Sequence, residues 1–170
     1  GVFLQIVRDE IGTVKVFCGK PVWVGPKDYV DKRRKYLGGF LGYDVVSVEK
    51  KEGNEDDLEI IKRIGALSPE NVSEIVLVSN DIIDYYVYLK AKTELGIKVF
   101  LVGTKAIDPW TGRSTITDNL DEVLLAGGIE FVEFGEYKDR VLKQAWVDKL
   151  KEEIDKPLIE EPSGNDGELD

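Results

Sequence analysis

The sequence predicts an α/β fold: a three-layer sandwich with a mostly parallel central sheet and helices on both faces. Three observations lead to this prediction. Strand-like apolar runs alternate with amphipathic helical segments, glycines stand where several helices should end, and 170 residues with 42% hydrophobic content suffice for one domain with a substantial core. We expect a single domain over residues 1–155 and an acidic flexible tail over residues 156–170.

Five segments of regular structure are predicted in the first part of the chain. Apolar residues at helical spacing predict helices over three stretches: residues 2–11, 28–37 and 56–64. Alternating or β-branched runs predict two strands: residues 13–17 and 43–48. Between the first strand and the second helix, prolines and a glycine in residues 19–26 predict a loop, in which Val22 to Val24 form a short extended piece.

The second part of the chain continues the alternation. Strands are predicted over residues 74–78, 98–102 and 129–134. Three helices are predicted between and after these strands. The first follows the strand 74–78 and ends at Leu95, before Gly96, and the others cover residues 119–125 and 137–154. A long loop over residues 106–117 contains the exposed-looking Trp110. Asp118, which stands before the short helix, is predicted as its cap.

Asp81 and Asp84 are the first candidates for chemistry, because they follow directly after the predicted strand 74–78. In a strand–helix–strand unit, ligands and catalytic groups gather outside the carboxyl ends of the strands. The alternative is helix capping, since the two residues also stand at the N-cap and N3 positions of the next helix. Both interpretations are open at this point.

Composition excludes several kinds of catalysis. The chain has no histidine, which excludes serine–histidine and cysteine–histidine catalysis and histidine-ligated zinc. Its single cysteine, Cys18, excludes an internal disulfide and a cysteine-based zinc site, and is predicted as a small core or strand-end residue. Carboxylates without imidazole or thiolate suit hard cations such as Mg²⁺ or Mn²⁺.

The net charge of −10 is concentrated at the end of the chain, where residues 151–170 hold eight acids against two bases. A local basic patch lies in a predicted helix and consists of Lys32, Arg33, Arg34 and Lys35. Such a patch can bind phosphate even on an acidic protein, because exposed charges are screened over about 8 to 10 Å. The alternative is a solvated helix face.

Other sequence features concern the compartment, the source and the partners of the protein. No apolar run approaches the roughly 20 residues that cross a bilayer, and no signal-peptide pattern is visible, so we expect a cytoplasmic protein without a membrane partner. Charged residues far outnumber Asn and Gln, and methionine is absent, a composition that leans toward thermophiles. The oligomeric state stays open, with a homodimer among the options.

Residues 13–134 resemble the NYN domain, a branch of the PIN-like metal-dependent ribonucleases. That family has an apolar strand ending in Ser-Gly-Asp-x-Asp-Phe, a helix, and a strand beginning Gly-Lys-x-Val. The matching runs here are Ile75-Val76-Leu77-Val78-Ser79-Asn80-Asp81 and Gly96-Ile97-Lys98-Val99. The family's earlier Lys-Gly-x-Asp is matched most nearly by Lys51-Glu52-Gly53-Asn54-Glu55-Asp56-Asp57, where spacing favours Asp57 over Asp56 as its aspartate.

The resemblance implies a PIN-like fold and metal-dependent cleavage of RNA. Asp57, Asp81 and Asp84 would be the catalytic and metal-binding carboxylates for Mg²⁺ or Mn²⁺. Ser79 or Asn80 would orient a water or a phosphate oxygen. The basic patch Lys32 to Lys35 would hold the RNA backbone, with Trp110 or Tyr85 available for base stacking. The alternative for Tyr85, as for Tyr86 and Tyr88 of the same predicted helix, is a position in the core or on the helix surface.

The chain departs from the family pattern in four places. Asn80 replaces a glycine, Asp84 falls one residue late, and the family's late acid would fall at Ala126-Gly127, where no acid stands. The family's opening strand, which carries an aspartate, would precede Gly1, so we expect that strand to be missing or the fold to differ there.

Two other functions therefore stay open. One is a catalytically degenerate NYN-like module that binds RNA or protein. The other, ranked last, is a haloacid-dehalogenase-type phosphatase, which a serine after an apolar strand would suit. That chemistry needs an Asp-x-Asp motif on a first strand, and the sequence shows no such strand.

Overall fold

A computed structural model describes residues 2–13, 16–104 and 120–154. The strands are β1 Val22–Pro26, β2 Asp44–Val48, β3 Glu74–Val78, β4 Lys98–Gly103 and β5 Ile129–Glu133. The helices are α1 Val2–Ile6, α2 Lys27–Arg34, α3 Glu55–Ala66, α4 Ile82–Glu94, α5 Leu120–Ala126 and α6 Gly135–Ile154. The first two helices continue as π-helical turns, Val7–Ile11 and Lys35–Phe40.

The described strands pair only in parallel, which confirms the predicted α/β class. They form two sheets, one of two strands in the order β1-β2 and one of three strands in the order β3-β4-β5. In the larger sheet Ile75 lies opposite Val99, and Val99 lies opposite Ile129. We expected one central sheet; the described residues form two.

The predicted strand over residues 13–17 is wrong, and the short extended piece predicted at Val22 to Val24 is part of a longer strand. Of residues 13–17, the described Thr13, Val16 and Phe17 are bends or irregular, and the other two lie outside the described residues. Residues 22–26, predicted mainly as a loop, form β1. The backbone carbonyl of Pro21 accepts a hydrogen bond of 2.8 Å from Asp44 N–H, and five residue pairs with β2 follow. Pairing therefore overrides local propensity.

The remaining elements lie close to their predicted positions. Strand β3 has the predicted bounds, and the other helices and strands differ from the predicted ones by a few residues at most. The predicted loop 106–117, the cap Asp118 and the predicted tail 156–170 lie outside the described residues. Among the helices that the structure describes, none is long and apolar enough to cross a membrane.

Two apolar clusters pack against opposite faces of β4. Val99 and Leu101 contact one cluster, which contains Ile64 of α3, Leu89 of α4 and Leu124 of α5. The next residues along the strand, Phe100 and Val102, point the other way into a cluster formed with α1, its π-helical turn and α6. A fully buried side chain of this size stabilises the fold by about 1.5–3 kcal/mol, so β4 anchors both clusters.

Candidate metal centre

The turn that follows β3 is held by hydrogen bonds on both sides. Ser79 N–H donates to the carbonyl of Val102 in β4 at 3.0 Å, which extends the sheet by one residue. The Ser79 hydroxyl oxygen then accepts the N–H of Asp81 at 3.0 Å. Asp81 therefore stands at the carboxyl end of β3, where the sequence predicted it.

Asn80 ties this turn to the end of β4. Its side-chain amide donates to the Thr104 hydroxyl at 3.0 Å, and its carbonyl oxygen accepts Thr104 N–H at 2.7 Å. Gly103 permits the approach, since a Cβ there would lie 2.9 Å from the carbonyl oxygen of Ser79. The structure thus gives the Asn80 side chain a partner within the fold, while its role toward a phosphate stays a prediction.

Asp57 reaches the same edge from the first turn of α3. The loop before it is closed by Glu55, whose carboxylate accepts the backbone N–H groups of Lys51, Glu52 and Gly53. The hydroxyl of Tyr85, in α4, donates a hydrogen bond to Oδ1 of Asp57. The position of Asp57 is therefore fixed from its own loop and from the neighbouring helix.

The structure brings the three predicted carboxylates together. One oxygen each of Asp57, Asp81 and Asp84 lies within 4.8 Å of the others. Asp81 and Asp84 are exposed, and Asp57 is half-buried. Although Asp81 is exposed, partial desolvation of its carboxyl group raises its pKa above the usual value, and the charges of Asp84 and Asp57 raise it further.

Basic side chains of the described residues do not neutralise this cluster. Among the described residues, no lysine or arginine forms an ion pair with any of the three carboxylates. Lys50, seven residues before Asp57, pairs instead with Oδ2 of Asp56 at 3.0 Å. The other oxygen of Asp56 is buried and has no hydrogen-bond partner among the described residues.

Helix capping does not account for Asp81. The residue occupies the N-cap position of α4, but its side chain makes no capping hydrogen bond to that helix. A capping aspartate normally accepts an N–H from the second or third helical residue. The carboxylate is therefore available for another partner.

The basic patch Lys32 to Lys35 is exposed, but its two arginines contact their own surroundings. The Arg34 guanidinium donates to the carbonyl of Val45 at 3.0 Å and to the Ser47 hydroxyl at 3.1 Å. Arg33 lies over the ring of Tyr29, 4.0 Å from its centre. The Arg34 contacts join α2 to β2, and the Arg33 contact lies within α2. The carboxylates belong to α3, to α4 and to the turn after β3.

Two other expectations change with the structure. Tyr85 is 1% exposed, so the prediction that it stacks on a base is wrong and the alternative, a position in the core, is confirmed. Ala126-Gly127 precedes β5 and therefore lies at the amino edge of the parallel sheet, opposite the carboxylates. A residue there cannot complete this cluster, so the missing acid at that position says nothing against it. Trp110 lies outside the described residues.

Comparison of the chain with protein-family models, with curated proteins and with solved structures finds no match. The resemblance to the NYN domain therefore depends on the residues quoted above and on nothing else.

Proposed function

We propose that this chain is a divalent-cation-dependent endoribonuclease, in which Asp57, Asp81 and Asp84 hold Mg²⁺ or Mn²⁺. One observation carries the proposal: carboxylates from two different helices and a strand end converge within 4.8 Å at the carboxyl edge of the sheet. Ligand sites of open α/β sheets lie at this edge.

The charge balance favours a cation at this cluster. Two carboxylates about 4 Å apart repel each other by about 1 kcal/mol in bulk water and by about 4 kcal/mol at the effective dielectric near a protein surface. The cluster has three such groups and no ion-pairing lysine or arginine among the described residues. A set of oxygen ligands without nitrogen or sulfur fits Mg²⁺ or Mn²⁺.

The chain's own residues have defined tasks in this proposal. A bound divalent cation supplies charge neutralisation at a scissile phosphate and makes a coordinated water more acidic. Asp57 would hold it from the protein side, because its side chain is half-buried, whereas the exposed Asp81 and Asp84 would face the substrate. Ser79 keeps Asp81 at the strand end through its 3.0 Å hydrogen bond.

RNA is the proposed substrate because of the resemblance and the basic patch. Lys32 and Lys35 are exposed and are assigned to phosphates of the backbone, since Arg33 and Arg34 are engaged with Tyr29 and β2. Phosphate contacts position a nucleic acid without reading its sequence. Salt should therefore weaken RNA binding.

The proposal includes a PIN-like three-layer sandwich in which both sheets are parts of one. Helix α3 leads from β2 to β3 and contacts β1, β2 and α4. One parallel strand from outside the described residues, placed between β1 and β3, would unite them in the order β2-β1-strand-β3-β4-β5. Strand order would then reverse beside β3, and ligands bind at such reversal points. The carboxylate cluster, at the end of β3, would then lie at this reversal point.

The first test is Mn²⁺ binding by calorimetry to the wild type, to Asp81→Asn and to Asp139→Asn, an exposed acid of α6 that serves as the control. We expect micromolar binding in the wild type and in the control. Asp81→Asn removes a ligand and should weaken Mn²⁺ binding by at least about tenfold. Even residues that only orient a metal ligand contribute about that much to metal affinity. Equal binding by all three proteins would overturn the site.

The stability of the metal-free protein distinguishes a metal-binding role of Asp81 from a helix-capping role. If Asp81 capped α4, Asp81→Ala would cost about 1 kcal/mol. Because the structure shows no capping bond, we expect the substitution to relieve repulsion and to leave the protein equally or slightly more stable, by roughly 0.5 kcal/mol. The midpoint of urea unfolding in EDTA measures this.

Cleavage of a short fluorescent single-stranded RNA in Mn²⁺ then tests the reaction. We expect cleavage by the wild type and not by Asp81→Asn. RNA binding without cleavage, in a wild type that binds Mn²⁺, would identify a degenerate binding module.

A further inference from the structure

The hydroxyl of Tyr85 is the point at which the core touches the carboxylate cluster. The ring is buried among Leu89, Val99 and other residues of the first apolar cluster. Its hydroxyl donates to Oδ1 of Asp57, which stands on the neighbouring helix. A buried tyrosine hydroxyl needs a polar partner, and here that partner is one of the three clustered carboxylates.

This contact opposes the repulsion inside the cluster. An aspartate side chain in the first turn of a helix can rotate toward solvent, away from two other negative charges. The hydrogen bond from Tyr85 holds one oxygen of Asp57 and leaves the second oxygen for another partner. Since the tyrosine ring is packed and 1% exposed, the donor itself cannot move aside easily.

The contact also couples the two helices that supply the ligands. Tyr85 directly follows Asp84 in α4, whereas Asp57 belongs to α3. This hydrogen bond thus ties the first turn of α4 to the first turn of α3, in addition to the apolar packing between the two helices. It therefore helps to hold Asp57 near Asp84.

We propose that Tyr85 is a positioning residue that holds Asp57 ready for a divalent cation, an inference that rests on the function proposed above. Partners that orient a metal ligand through a hydrogen bond typically contribute 10- to 100-fold to metal affinity. Tyr85 does not touch the cation in this assignment; it acts through Asp57.

The test compares Tyr85→Phe with Tyr86→Phe, its neighbour on the same helix. Tyr86 also carries a hydroxyl, which donates to the carbonyl of Val123 at 3.5 Å and not to the cluster. Mn²⁺ affinity is measured from the paramagnetic relaxation of water protons, with unfolding followed in parallel. We expect a 10- to 100-fold loss in Tyr85→Phe and no change in Tyr86→Phe.

A double-mutant cycle with Asp57→Asn decides whether Tyr85 acts through Asp57. In the Asp57→Asn background, Tyr85→Phe should cause no further loss of Mn²⁺ affinity. The same cycle read by metal-free unfolding reports whether the hydroxyl–carboxylate contact forms, even where a variant is less stable.

The outcomes separate this inference from the proposed function. If the wild type binds Mn²⁺ and Tyr85→Phe binds it with the same affinity, the positioning role is overturned and the proposed metal centre stays intact. Equal losses in both tyrosine variants would also overturn it, because general loosening of α4 would explain them. Absence of Mn²⁺ binding by the wild type would overturn the proposed function itself.

Discussion

The carboxylate of Glu55 closes the loop that places Asp57. Its oxygens accept the N–H groups of Lys51, Glu52 and Gly53 at 2.7, 2.6 and 3.0 Å. The bond from Glu52 is the largest of the contributions that lower the pKa of Glu55 to about 2, below its usual 4.5. Hydrogen bonds to a charged carboxylate favour its ionised form.

This depressed pKa predicts how stability depends on pH. The folded state favours the ionised form of Glu55, so its stabilising effect is complete above about pH 4.5 and is lost as the pH falls toward 2. Glu55→Gln should therefore be less stable near neutral pH and lose less stability on acidification. Melting temperatures between those pH values measure this, with the exposed Glu52→Gln as control. Parallel curves for Glu55→Gln and the wild type would contradict the prediction.

The three carboxylates could be predicted from the sequence, but the residue that holds one of them was missed. An aspartate after an apolar strand or in the first turn of a helix is visible in the sequence alone. Tyr85 also had a signal, since Ile82, Tyr85 and Leu89 have the spacing of one helix face, and all three are buried. Its bond to Asp57 had none, because that contact depends on how α3 packs against α4.

At the scale of elements, β1 shows where local pattern fails. Residues 13–17 alternate better and contain more β-branched residues than β1, which ends in Gly25-Pro26. Proline and glycine are depleted in strands, so propensity favours the wrong segment. The pairing partner determines which segment becomes a strand: β1 pairs with β2 from Val22 to Pro26. A pattern read from neighbouring residues in the sequence does not include that partner.

Lys92 joins α4 to α3 at the end of the helices farthest from the carboxylates. Its ammonium is buried and donates to the carbonyls of Gly65 and Leu67 at 3.0 and 2.6 Å, where α3 ends. Those carbonyls lack partners within their own helix, and a positive charge suits a helix C-terminus.

Removal of this ammonium should cost more stability than removal of an exposed one. Lys92→Met keeps the aliphatic stem, and we expect a loss of about 2 kcal/mol, the scale of hydrogen bonds to a charged group. Lys90→Met, an exposed position of the same helix, should change stability by less than about 0.5 kcal/mol. Urea unfolding measures both. Equal effects would mean that the Lys92 contacts stabilise the fold no more than a surface charge does.

At the scale of the whole molecule, four of the five described strands could be predicted but the number of sheets could not. Periodicity identifies β2, β3, β4 and β5, whereas strand order depends on which edges meet. The described strands form the orders β1-β2 and β3-β4-β5, which leaves β3 as an outer strand of its sheet among the described residues. The carboxylate cluster lies at the end of that outer strand, so the open edge and the candidate site adjoin.

Hydrogen exchange can measure whether this edge is open. Lys98 N–H donates to Ser73 and Ser79 N–H donates to Val102, so alternate residues Ile75 and Leu77 also direct their amides toward β4. The residues between them, Val76 and Val78, direct theirs to the opposite edge. Because no strand of the described residues pairs with that opposite edge, we expect slow exchange at Ile75 and Leu77 and faster exchange at Val76 and Val78.

The two pairs of amides are controls for each other, because they share one strand and one stability. Uniformly slow exchange at all four would contradict the prediction and would mean that another strand already pairs with β3 within this chain. Alternating exchange would show that the edge beside Asp81 is unpaired and open to the additional strand of the proposed single sheet. A strand arriving there in parallel would end next to the three carboxylates, since parallel strands end at the same edge. Its last residues would then face any cation held by Asp57, Asp81 and Asp84.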